Sequence, residues 1–234
     1  MRRQGLPSPP AVILFDIDGT LIRRAGPHHR QALVDAVAKV TGLHAPLDHI
    51  PLQGMLDRAI VEWMMRDAGA SKAAIARAMP AIVDTAQRLY VRRAPSSLRS
   101  KVCPGVRPLL TKLKRAGIPM GLVTGNLTRI GWLKMERAGI REHFQFGAFA
   151  EQARDRAGLV KIALRHARPL RPANAVSNTW LIGDHENDIA AARANGVRSV
   201  AVATGVSARH QLAACSPDLL LDDLRALSLD LLLV

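Results

Sequence analysis

The segment Val12-Ile13-Leu14-Phe15-Asp16-Ile17-Asp18-Gly19-Thr20-Leu21 constrains the fold more than any other stretch of the chain. Its consecutive apolar residues read as a strand buried on both faces, which means a parallel strand covered by helices. The strand delivers two carboxylates separated by one residue and then breaks at Gly19. Two acids at the exit of a buried strand repel each other unless a cation or a proton lies between them. In an open α/β sheet, that exit is also where ligands bind. A solvated Asp-Gly turn has the same local signature, so the rest of the chain must decide between the two readings.

After Leu21 the apolar spacing changes to that of helices. Pro27–Val40 forms one, stopped by Gly42, and Leu56–Ala68 forms a second. Ser71 caps a third that runs to about Met79, and Pro80 opens a fourth at its first turn. No strand is expected between residues 23 and 95, so this block reads as an all-helical insert whose Met and Trp side chains pack its interior. Arg93-Ala94-Pro95-Ser96-Ser97 reads as a linker. Beyond it, strand and helix alternate. Helices are expected over 106–116, 127–138, 155–167 and 186–195, and strands over 118–123, 143–150, 179–182, 197–202 and 217–221, with Pro169 and Pro172 barring continuation of the third of these helices. The pattern predicts a doubly wound parallel sheet, with residues 1–22 and 96–234 as the core and residues 23–95 as an inserted helical domain.

Three of these strands end in polar punctuation: Asp16 and Asp18, Thr124-Gly125-Asn126, and Gly183-Asp184 with Asp188 one helical turn later. A parallel sheet lines such ends along one edge. Clustered carboxylates suit a hard cation such as Mg²⁺, and a hydroxyl beside helix-start amides suits a phosphate. The combination describes an anion held against a metal, with a carboxylate placed to attack it.

Charge tests this picture. The 234-residue chain has 33 Lys and Arg against 19 Asp and Glu, a formal net charge of +14. The basic residues are scattered (Arg2-Arg3, Arg23-Arg24, Arg92-Arg93 and many singles), so a nucleic-acid role is not expected, and the positive field suits small anionic substrates such as phosphate esters. Cys103 and Cys215 have no metal-ligand or scaffold spacing and read as reduced thiols. The basic N-terminus, with Pro7, Pro9 and Pro10, precedes an apolar run too short for a secretory signal, and no span is long enough to cross a membrane. A soluble, cytoplasmic protein is expected; its oligomeric state is not legible.

At Asp16-Ile17-Asp18-Gly19-Thr20, Thr124-Gly125-Asn126 and Gly183-Asp184-His185-Glu186-Asn187-Asp188, the sequence resembles the haloacid dehalogenase-like hydrolase superfamily. The motifs occur in the family's order, each after an apolar strand, and the resemblance covers essentially the whole chain. The helical insert looks like the family's cap, and the arrangement is most similar to the phosphoglycolate phosphatase-like branch.

The resemblance implies a Mg²⁺-dependent phosphatase acting on a small phosphorylated metabolite. Asp16 would take the phosphoryl group as an aspartyl phosphate and Asp18 would be the general acid/base. Thr124, with Gly125 and Asn126, would hold the phosphoryl oxygens. Asp184 would bind the metal with Asp16 and the Asp18 backbone carbonyl, supported by Asp188. The family also uses a Lys or Arg to neutralise phosphate and nucleophile; Arg156 is the first choice and Lys134 the second. His185 reads as a loop residue, and His28 and His29 as surface. An acid at position 18 argues against dehalogenation, where no leaving oxygen needs a proton. The alternative is a phosphomutase on the same core, returning the phosphoryl group from Asp16 to a bound sugar.

Overall fold

The computed structural model describes residues 11–23, 25–47, 50–170 and 178–232. The basic and proline-bearing N-terminal stretch, Arg24 and Pro172 lie outside the described residues. Six parallel strands form one sheet: β1 (Val12–Phe15), β2 (Met120–Val123), β3 (Phe146–Ala148), β4 (Thr179–Gly183), β5 (Arg198–Val202) and β6 (Leu219–Leu221). Their order is β3-β2-β1-β4-β5-β6. β1 is therefore central, and the order reverses on either side of it, which creates a crevice at its carboxyl end.

The apolar run of β1 is explained by its neighbours. Val12 and Leu14 face one core together with Leu159, Val160 and Ala163 of α6 (Arg156–Ala167) and Ala191 and Ala192 of α7 (Glu186–Ala194). Ile13 and Phe15 face the other, with Leu109, Leu110 and Leu113 of α4 (Val106–Arg115) and Met135 of α5 (Thr128–Ala138). Both faces are dry, so both must be apolar. A short helix, α8 (Arg209–Ala214), joins β5 to β6 and carries too little periodicity to be read from sequence.

Between β1 and β2 lie α1 (His28–Thr41), α2 (Asp57–Asp67) and α3 (Lys72–Arg93). Their inner faces (Leu33, Ala36 and Val37; Ile60, Val61 and Met64; Ile75, Met79, Ile82, Ala86 and Tyr90) pack together, while Trp63 remains 40% exposed. Two sequence expectations are corrected here. Pro80 does not open a new helix but sits inside α3. A proline in a helix interior costs about 3 kcal/mol, yet Ile75, Met79 and Ile82 stay buried in one stripe across it, each stabilising by about 1.5–3 kcal/mol. Pro80 and Ala76 are both exposed, so water can satisfy the carbonyl that Pro80 leaves unpaired. The segment 143–150 is also not one strand: a 3₁₀ turn over Arg141–His143 precedes the three-residue β3. Among the described residues no helix is long and apolar enough to cross a membrane.

Candidate active site

The loop after β1 folds back on itself: the Gly19 amide donates to the Ile22 carbonyl (2.7 Å), and the Leu21 amide to that of Ile17 (2.9 Å). Gly19 has φ +90°, and a Cβ there would lie 2.2 Å from Asp184 Oδ2, so only glycine lets the loop meet the end of β4. Thr20 Oγ1 donates to Asp184 Oδ1 (3.1 Å).

This packing brings Asp16, Asp184 and Asp188 together, all buried, each offering a carboxylate oxygen within 4.8 Å of the others. Arg156, at the first turn of α6 and itself buried, is their counter-charge: Nη1 lies 3.0 Å from Asp16 Oδ1 and 2.6 Å from Asp188 Oδ1. Its buried Nε has no hydrogen-bond partner among the described residues. One guanidinium against three carboxylates leaves an excess of negative charge. Burial pushes Asp16 up to about 6; Arg156 opposes the rise, and Asp188 and Asp18 add to it. Asp184 is raised well above the usual carboxylate range by burial and by Asp16 and Asp188. A buried set of hard oxygen donors with surplus negative charge fits a divalent cation.

Metal-free protein should therefore lose stability as pH rises. Between the ordinary carboxylate range and about 6, the folded protein holds a proton on Asp16 that the unfolded chain has released, so unfolding is favoured as pH climbs through that window. His185 and His143, both lowered by burial, contribute with the opposite sign. The comparison that isolates Asp16 is urea unfolding, with chelator, of wild type against Asp16→Asn. The wild type should lose ground to the variant between pH 4.5 and 7, and a constant difference would refute the assignment.

Asp18 stands on the other side of the crevice. Lys134 Nζ reaches both its oxygens (2.8 and 2.6 Å), and Asn126 Nδ2 donates to Oδ2 (2.7 Å). The Asp18 side chain is half exposed to the crevice; desolvation by the surrounding protein opposes its ionisation, and Lys134, with Asn126, outweighs it and holds the carboxyl below the usual range. Lys134 also donates to Asn126 Oδ1 (2.6 Å), and Asn126 Nδ2 contacts Thr124 Oγ1 (2.7 Å). Thr124 is fully buried at the end of β2. The two basic candidates are thus separated: Arg156 sits on Asp16, and Lys134 sits on Asp18.

These groups line a cavity of about 870 Å³ between the sheet edge and the helical insert. His29, expected at the surface, faces this cavity, with its side chain 18% exposed and Nε2 2.8 Å from Asp57 Oδ2. Asp57 is 3% exposed, and sequence reading did not single it out. Its one available signal was an acid opening a helix, which ordinarily complements the dipole in solvent. His185 caps α7, accepting from the Asn187 amide through Nδ1 (3.1 Å). Gly125 contributes a carbonyl that accepts the Asp57 amide (2.8 Å).

A parallel sheet with this strand order, carrying paired acids after β1, a threonine after β2 and further acids after β4, defines a Rossmann-like hydrolase core. The family model for haloacid dehalogenase-like hydrolases matches residues 10–196. The chain belongs to that family, and within it to the phosphoglycolate phosphatase-like branch. It is 32% identical over 198 residues to a phosphoglycolate phosphatase of Caulobacter vibrioides, covering 83% of this chain and 80% of that protein. A phosphoglycolate phosphatase of Pseudomonas putida is 28% identical over 231 residues, covering 93% of this chain and 78% of that protein. Among solved structures, the CbbY protein of Rhodobacter sphaeroides in complex with phosphate shares the fold, with 23% identity, a TM-score of 0.68, and coverage of 94% of this chain and 96% of that one. The β-phosphoglucomutase of Clostridium difficile does so with 20% identity, a TM-score of 0.69 and 94% coverage of both chains.

Proposed function

We propose that the protein is a Mg²⁺-dependent phosphatase that hydrolyses a small phosphate monoester through a phosphoryl group carried on Asp16. The observation that supports this reading best is the division of the two basic residues between two carboxylates 3.0 and 2.6 Å away. Arg156 limits the rise that burial and the acidic neighbours impose on Asp16 and so favours its carboxylate form, which a nucleophile requires. Lys134 and Asn126 aim Asp18 into the cavity, which a general acid/base requires.

The reaction then runs in two halves. An Asp16 oxygen attacks phosphorus while the ester P–O bond breaks and Asp18 gives its proton to the leaving oxygen. Asp18, now a carboxylate, takes a proton from the water that attacks the aspartyl phosphate, and inorganic phosphate and free Asp16 return. Because Lys134 keeps Asp18 ionised before substrate arrives, a monoanionic phosphate ester, whose last ionisation falls near 6, would carry in the proton. The buried Thr124 hydroxyl and the Gly125 amide would hold the transferred oxygens, while the Thr124 amide is taken by the Ala148 carbonyl and the Asn126 amide and Nδ2 by Thr124 Oγ1. Asp16 and Asp184, backed by Asp188 and the Asp18 carbonyl, would hold Mg²⁺, which offsets the repulsion between carboxylate and phosphate. We assign residues 23–95 as a helical cap that roofs the cavity and contacts the leaving group; the names of the relatives favour a small acid ester such as phosphoglycolate.

A phosphate-release screen over small phosphate esters tests this function. Release should require added Mg²⁺ and stop with chelator. Metal-independent release, or phosphoryl return to a sugar with no free phosphate, would contradict it.

A further inference from the structure

The cap does more in this structure than roof the cavity. The Lys134 ammonium has three N–H groups, and three acceptors surround it: the Asp18 carboxylate, Asn126 Oδ1 (2.6 Å) and His29 Nδ1 (3.3 Å). The first two belong to the core; the third comes from α1 of the insert. An ammonium only donates and a carboxylate only accepts. His29 Nδ1 therefore accepts a hydrogen bond from the Lys134 ammonium, and its Nε2–H donates to Asp57 Oδ2, 2.8 Å away. Tyr90 packs its ring edge-on against the imidazole, with centroids 5.7 Å apart. Each helix of the insert thus supplies one side chain to this arrangement: His29 from α1, Asp57 from α2 and Tyr90 from α3.

Asp57 also ties the arrangement to the core. The same Oδ2 accepts the Leu127 amide (2.8 Å), and the Asp57 amide donates to the Gly125 carbonyl (2.8 Å). A Cβ on Gly125 would lie 2.3 Å from the Met55 carbonyl oxygen, so the two loops meet at backbone distance. Seating of the cap on the 124–127 loop and orientation of the imidazole therefore go together.

We propose that His29 and Asp57 are positioning residues: through Lys134 they fix the direction of the Asp18 carboxyl, so that proton delivery to the leaving group depends on the cap being seated. This rests on the phosphatase reading above. Among the described contacts His29 touches neither Asp16 and Arg156 nor the 124–126 loop, so binding of the phosphoryl group should not depend on its side chain. Leaving-group protonation should. When the ester P–O bond breaks, an alkoxide needs the Asp18 proton, whereas p-nitrophenolate leaves without one.

The experiment measures kcat/KM, which reports steps up to departure of the leaving group, for an alkyl phosphate and for p-nitrophenyl phosphate. His29→Ala should lower the alkyl value by about 10–100-fold, a part of the ~10²–10⁴ that a well-placed acid supplies, and leave the p-nitrophenyl value within about threefold. Asp57→Asn should act in the same direction. An amide there can donate to Nε2 and so permits the tautomer that points Nδ1–H at the ammonium. His29→Asn, which keeps an acceptor for Lys134, should recover part of the loss. Inhibition by inorganic phosphate should be unchanged in the His29 variants. Equal losses on both substrates, no loss on the alkyl ester, or weakened phosphate inhibition in a His29 variant would each overturn the proposal. If instead wild type releases phosphate from neither ester, the phosphatase reading itself fails.

Discussion

Asp16→Asn should abolish phosphate release, by at least about 10⁴-fold, as loss of a covalent nucleophile does elsewhere. The substitution keeps the shape of the side chain. It removes the charge that Arg156 pairs with at 3.0 Å, and Arg156 retains Asp188 at 2.6 Å. The variant should therefore fold. Relieving one of three crowded carboxylates should even stabilise the chelated protein above pH 6, where Asp16 is ionised at a cost. Lost turnover with undiminished metal-free stability is a combination that structural damage does not produce. Measurable turnover by the variant would remove Asp16 from the centre of the chemistry.

The second large effect concerns stability. Arg156→Met should destabilise the chelated protein by about 3–5 kcal/mol at pH 8, the usual consequence of removing one partner of a buried ion pair. Arg156 is the cation bonded to the Asp16, Asp184 and Asp188 group among the described residues, and it is 7% exposed. Without it, three buried carboxylates repel one another. Two remedies are available to the variant. Protonation is one, so the deficit should shrink as pH falls toward 5. A divalent cation is the other, and Mg²⁺ at 100 times its dissociation constant should restore about 2.7 kcal/mol. Thermal unfolding with chelator and with Mg²⁺, at both pH values, reads all of this. A variant as stable as wild type in chelator would mean that the acidic group does not carry the surplus charge assigned to it.

The parts of the site that were legible in sequence share one property: each is set by a strand end. A buried parallel strand must be apolar, so the first polar residue after it marks the sheet edge, and Asp16, Thr124 and Asp184 are all found there. Arg156 was reached differently, from the resemblance, which asks for a basic residue at the start of the helix before the last acidic motif; the structure starts that helix at Arg156. The helical insert resisted such reading because the side chains it turns toward the cavity depend on which helix faces meet the core. His29 lies on α1 beside residues of ordinary polar character, and neither its charge nor its spacing distinguishes it from His28. Asp57 opens α2 as many solvated acids do, and only the docking of that turn onto the Gly125 and Leu127 backbone buries it. Pro80 misled for the opposite reason: a strong local signal for a helix start was outweighed by an apolar stripe running unbroken from Ile75 to Tyr90.

The most direct test of the account is to quench the enzyme in acid during turnover of a phosphate monoester and map the phosphorylated peptide by mass spectrometry. The account predicts a single acid-stable, base-labile acyl phosphate on Asp16, absent from Asp16→Asn. A phosphoryl group on any other residue, or steady turnover with no covalent species under conditions that accumulate one, would contradict it.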